Sequence, residues 1–116
     1  MEKKYFKGSF KFLDYSISHK VLLLRNNDHV ESTKNVDLVF ESVFYLEIPT
    51  TVKDFYLYTA NEEMSKIFIE KYGGDYYPQF NQAFYILESN NRKYCIGCGR
   101  VLIEENEFDD LKSSIK

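Results

Sequence analysis

The sequence is short of the residues that usually announce chemistry. It has two cysteines and two histidines. Two cysteines cannot build a disulfide framework, and with no export signal they point to a reducing cytoplasm. No apolar run approaches the roughly 18 residues of a membrane-spanning helix. The opening Met-Glu-Lys-Lys-Tyr-Phe-Lys is basic, but no apolar stretch follows it, so no signal peptide is expected. No Gly-Lys-Ser/Thr phosphate loop occurs, and Gly73-Gly74 follows a helical pattern instead of preceding one. Net charge is −3, which argues against a general nucleic-acid binder. No β-α-β rhythm of about 30 residues appears, which disfavours a parallel sheet.

What remains is apolar and aromatic. Hydrophobic residues make up 44% of the 116, with ten Phe and ten Tyr. A chain of this length forms one domain, residues 1–116, and buries roughly two-thirds of its unfolded surface without metal or disulfides. Val36 to Pro49 alternates most strictly. Val36, Leu38, Phe40, Ser42, Phe44, Leu46 and Ile48 share one face, and Asp37, Glu41, Tyr45 and Glu47 lie on the other, as in a half-buried strand. At roughly 3.3 Å per residue the run would exceed about 40 Å, so a bend is expected near Glu41 to Val43. So apolar a strand belongs in the middle of a sheet.

The remaining segments read as its partners. Phe6, Phe10 and Phe12 share a face of a first strand, with Gly8 suited to a bulge and Asp14-Tyr15-Ser16 to a turn or bulge. Val21 to Leu24 is continuously apolar, so its strand is covered on both faces, with Arg25 at the rim. Asn26 to Asn35 is a polar loop open to a partner. Phe55 to Tyr58 is a short strand after a turn at Val52 to Asp54. Asn61 caps a helix of about three turns with Met64, Ile67, Phe68 and Tyr72 on one face, ended by Gly73-Gly74 through a left-handed residue. Ala83 to Ser89 and Lys93 to Ile96 form a hairpin about Asn90-Asn91, and Arg100 to Glu105 is a last strand. Phe108, Leu111 and Ile115 fit a short C-terminal helix capped by Asn106. The expected fold is α+β: a mostly antiparallel sheet of about six strands with one central helix.

Cys95-Ile-Gly-Cys98 is a C-x-x-C. Redox use needs it at a helix N-terminus, but here it interrupts a strand-like run, where positions i and i+3 face opposite ways. Gly97 and Gly99 bracket Cys98 as a turn or bulge, and only a turn at Gly97 would bring the two sulfurs together. Zinc needs three or four ligands, and neither His19 nor His29 has a matching spacing. No metal site, no cofactor and no catalytic residue is expected. His19 has no recognisable nucleophile beside it.

Two features suit recognition instead. Asp75, Tyr76 and Tyr77 lie in an aromatic loop with Pro78 and Phe80, and amphipathic aromatics on loops are frequent binding hot spots. Glu104, Glu105, Glu107, Asp109 and Asp110 make the C-terminal end acidic, fit to attract a basic partner. The order of pieces, ISHKVLLLR, then NVDLVFESVFYLEIP, a helix and FYILESNNRKYCIGCGRVLIEEN, resembles small α+β immunity proteins of bacterial polymorphic toxin systems. The resemblance implies a non-enzyme that neutralises a cognate toxin, a basic domain, in the cytoplasm. The alternative is a structural domain that self-associates as a homodimer through an edge strand. No nucleic-acid or membrane partner is expected.

Overall fold

The computed structural model describes residues 1–29 and 34–107, together with Lys112, Ser113 and Ile115. Strands run over Lys4–Ser16 (β1), Val21–Asn26 (β2), Asn35–Glu41 (β3), Tyr45–Glu47 (β4) and Thr51–Thr59 (β5). Helix α1, Glu62–Tyr72, follows, then Ala83–Ser89 (β6), Arg92–Cys98 (β7) and Arg100–Asn106 (β8). Every pairing is antiparallel, in the order β4-β7-β6-β5-β1-β2-β3-β8. The α+β class holds, with eight strands in place of about six. No helix among the described residues is long and apolar enough to cross a membrane.

The Val36 to Pro49 stretch is not one strand. It breaks after Glu41, where Ser42 has φ of 56°, a region L-residues adopt rarely. β3 therefore sits between β2 and β8, while β4 is re-aimed to pair with β7 at the sheet's opposite end. The partner strand bends at the same level, because β7 passes into β8 through Gly99. Gly99 N–H donates to the Glu41 carbonyl at 2.8 Å, and Phe44 N–H donates to that of Gly97 at 2.9 Å. The two bent strands thus stay paired through their kinks, and the sheet closes on itself. A Cβ on Gly97 would lie 2.6 Å from the Phe44 ring, so glycine is what lets that ring cross β7.

The closed sheet encloses Phe6, Phe10, Leu22, Leu24, Leu38, Phe40, Phe55, Leu57, Ile96 and Cys98. Phe10 meets the Phe55 ring edge-on at 5.2 Å. Leu23, between two inward leucines, is also fully buried, so β2 is covered on both faces. Gly8, φ 97°, makes the bulge between Phe6 and Ser9 against β5. Its N–H donates to Asp54 Oδ1 at 2.7 Å, and Asp54 itself has φ of 49°. Val52 to Asp54, expected as a turn, is instead part of β5, which carries a local kink at Asp54 opposite the Gly8 bulge. At Asp14 to Ser16 the bulge is found and not the turn: β1 continues past a register shift between Phe12 and Asp14, and the turn falls at residues 17–20.

α1 lies over the outer face of β4, β7 and β6. Asn61 Oδ1 accepts from Met64 N–H at 2.8 Å, and Gly73, φ 70°, closes the helix. Phe68 is the buried centre, flanked by Met64, Ile69 and Tyr72, and packs with Phe84, Ile86 and Cys95. Ile67, expected on this face, is 54% exposed; the contact line runs along Met64, Phe68 and Tyr72 and leaves it to one side. Of the expected C-terminal helix, Phe108 and Leu111 lie outside the described residues.

Candidate functional site

The aromatic loop is built outward from the helix cap. A Cβ on Gly74 would meet the Tyr72 ring at 2.7 Å, so the chain leaves α1 hard against that ring. Tyr76 then turns inward. Its ring stacks on Phe84 at 5.1 Å, and its hydroxyl donates to the Gln82 carbonyl at 3.1 Å. Burial raises its pKa. Tyr77 turns outward, but its backbone N–H donates to Gln82 Oε1 at 2.6 Å. Pro78–Phe80 form a 3₁₀ turn ended by Asn81 at φ 67°. Tyr77 is 42% exposed and Phe80 71%, with ring centroids 5.9 Å apart.

Asp75 completes this surface. Its negative charge raises the Tyr77 pKa. Of the three residues singled out in this loop, Asp75 and Tyr77 are presented to solvent and Tyr76 anchors them to the core. Phe80 is the largest exposed aromatic surface of the cluster.

The acidic residues do not join it. Glu104 and Glu105 are exposed on β8, opposite Asp37 and Val36 of β3, and β6, which receives the loop, has β5 and β7 as neighbours. Strand alternation sends Glu104 and Glu105 to opposite faces, so they form no single acidic face. Glu107 is exposed just beyond. Asp109 and Asp110 lie outside the described residues.

The cysteines occupy separate cores. β7 is unbroken through Cys98, so Cys98 points to the interior while Cys95 points under α1. Burial pushes the Cys98 thiol up to about 12 and raises that of Cys95 as well. Both thiols are held protonated by burial, which disfavours thiol exchange. His19 is exposed, and Ser16 Oγ accepts its backbone N–H at 3.3 Å, a contact that closes the turn. Among the described residues no three His, Cys, Asp or Glu side chains gather as a metal site.

One polar centre escapes the sequence pattern. Arg25, expected at the rim, is 1% exposed. Its Nε and Nη2 donate to the two Asp37 oxygens at 2.7 and 2.9 Å. Nη1 donates to the Lys112 carbonyl at 2.6 Å, which ties the C-terminal segment to the outer face of β2. Asn106 Nδ2 donates to Asp37 Oδ2 at 2.6 Å, and Asn35 Nδ2 to Asn106 Oδ1 at 3.0 Å. His29 Nε2 lies 2.8 Å from Asn35 Oδ1. Because the chain ends on a carboxylate that only accepts, each amide must donate toward it and His29 must donate into it. Asn35, taken as the end of a polar loop, is fully buried inside this network.

Comparison with protein-family models, with curated proteins and with solved structures finds no match to this chain.

Proposed function

We propose that the chain is a non-catalytic protein-binding module whose contact surface is the Tyr77–Phe80 turn. One observation carries the reading: two aromatic rings stand in solvent on a loop that is itself pinned to the core by Tyr76 and Gln82. Rigid, amphipathic rings of this kind give binding energy at low entropic cost. Asp75 beside Tyr77 and a net charge of −3 favour a basic partner. The resemblance to immunity proteins makes this specific: a cognate toxin domain, covered and neutralised in the cytoplasm.

Affinity capture of the tagged protein from its native lysate, and from lysate carrying neighbouring toxin genes, tests the reading. Bound species are identified by mass spectrometry after moderate- and high-salt washes. A stoichiometric protein partner whose affinity falls in the Tyr77→Ala, Phe80→Ala variant supports it. A partner held with unchanged affinity by that variant removes this surface. The alternative, a self-associating domain, draws on the edge of β8 that pairs with no second strand among the described residues.

A further inference from the structure

β8 runs on past the Ala83–Cys98 end of the β6–β7 pairing, and among the described residues it pairs with β3 alone. An unpaired row of N–H and C=O groups is a template for another strand. The sequence along this edge is Arg100-Val101-Leu102-Ile103-Glu104. Reversed about Leu102, it is complementary to itself: cation meets anion at both ends, and aliphatic meets aliphatic between them.

The pleat fits this reversal. Arg100, Leu102 and Glu104 stand opposite Glu41, Val39 and Asp37, on the sheet's outer face, while Val101 and Ile103 stand opposite the inward Phe40 and Leu38. In an antiparallel pair, directly opposed residues share a face. A two-fold axis through Leu102 then sets Arg100 against Glu104, Val101 against Ile103, and Leu102 against its own copy, with both faces continuous. A parallel in-register pair would set Arg100 beside Arg100, and a one-residue slip would invert the faces. Arg100, Ile103 and Glu104 are exposed, Ile103 at 39%. Arg100 already holds Glu41 within its own chain, which orients its guanidinium on the face where Glu104 of a second copy would arrive.

We propose that the protein forms a two-fold symmetric homodimer by antiparallel pairing of β8 with β8 of a second copy, centred on Leu102. Such a contact is isologous and closes at two subunits. It assigns Glu104 to self-association.

Sedimentation equilibrium and directed cross-linking test it on the full chain. Residues opposed across an antiparallel pair have Cα atoms roughly 4.5–5.5 Å apart, within disulfide reach. Leu102→Cys is expected to form a disulfide dimer under mild oxidation, with Cys95 and Cys98 silent because they are buried. Ile103→Cys alone should cross-link poorly, but efficiently when mixed with Val101→Cys. Arg100→Glu and Glu104→Arg should each raise the dimer Kd on the order of tenfold, because each turns two attractive cross-strand pairs repulsive. The double exchange should restore it. Circular dichroism checks folding; if Arg100→Glu unfolds for want of its Glu41 partner, the cysteine pairs and Glu104→Arg decide. A wild-type chain that stays monomeric up to about 1 mM, or a dimer in which Leu102→Cys does not cross-link, overturns the proposal.

Discussion

Arg25 and Asp37 face each other across β2 and β3 in a two-point ion pair that is almost wholly withdrawn from water. The pair sits on the outer face of the sheet, and the carbonyl of Lys112 takes the remaining guanidinium edge. A buried charge without its partner is strongly unfavourable, whereas an apolar pair of similar volume is often tolerated. Asp37→Ala should cost about 3–5 kcal/mol in urea unfolding. Arg25→Met with Asp37→Leu should cost clearly less than the sum of the two single changes. Equal additivity would mean that the two side chains do not depend on each other.

The two glycines of the β7–β8 junction should differ. An added Cβ at Gly97 meets the Phe44 ring at 2.6 Å, and at Gly99 it meets Ser42 Cβ at 3.2 Å. Gly97→Ala should therefore lose about 1–3 kcal/mol, the range for overpacking, and Gly99→Ala less than about 1 kcal/mol. The Phe44→Leu change should recover part of the Gly97→Ala loss. If Gly99→Ala were the more damaging, the kink and not the ring crossing would be the constrained feature.

Alkaline pH should destabilise the fold over a defined window. Burial, then the hydrogen bond to Glu88, push Tyr58 from an ordinary value of 10.0 up to about 12. Burial and Glu47 do the same for Tyr45, and burial takes Cys98 from 9.0 to about 12. Each is raised in the folded state, so the unfolded chain loses protons first. Stability is then whole below about pH 9 and falls as pH rises toward about 12. Urea midpoints between pH 8 and 12 should drop, and Tyr58→Phe should ease the slope above pH 10. A midpoint flat across that range would contradict the burial of these groups. At neutral pH both thiols should stay silent toward a thiol reagent until the chain unfolds.

The fold was legible wherever local pattern and tertiary contact agree. Asn61 and Gly73 bound α1 because their cap chemistry is local. The break at Ser42 followed from a run too long for the domain. Cys95 and Cys98 were left open by the pattern, because a turn at Gly97 would have joined them; β7 runs unbroken through Cys98 and so sends them to opposite faces. What stayed hidden depends on register between distant strands. Arg25 looked like a rim residue because nothing nearby in sequence announces Asp37 as its partner. Asp54 looked like a turn because Gly8, whose N–H it accepts, is 46 positions away. Ile67 looked buried because a helical face drawn from spacing alone can be rotated by one position against its sheet. For the candidate site, the sequence grouped Asp75, Tyr76 and Tyr77 but could not say which ring turns inward.

That division of labour gives the sharpest test of the aromatic loop. Tyr76 contributes its ring to a stack with Phe84 and its hydroxyl to Gln82, whereas Tyr77 and Phe80 spend theirs on each other and on solvent. Tyr76→Ala should behave as a core truncation and cost about 2–4 kcal/mol of stability. Tyr77→Ala and Phe80→Ala should leave unfolding within about 0.5 kcal/mol of wild type, as exposed substitutions do. If the surface recognises a protein, the same two changes should weaken that complex by about 1–4 kcal/mol in calorimetric titration. Tyr76→Phe keeps the stack and removes only the hydroxyl, so it should lose little stability and no affinity. Stability losses for Tyr77→Ala and Phe80→Ala as large as that of Tyr76→Ala would make all three rings structural and leave the loop without a recognition role.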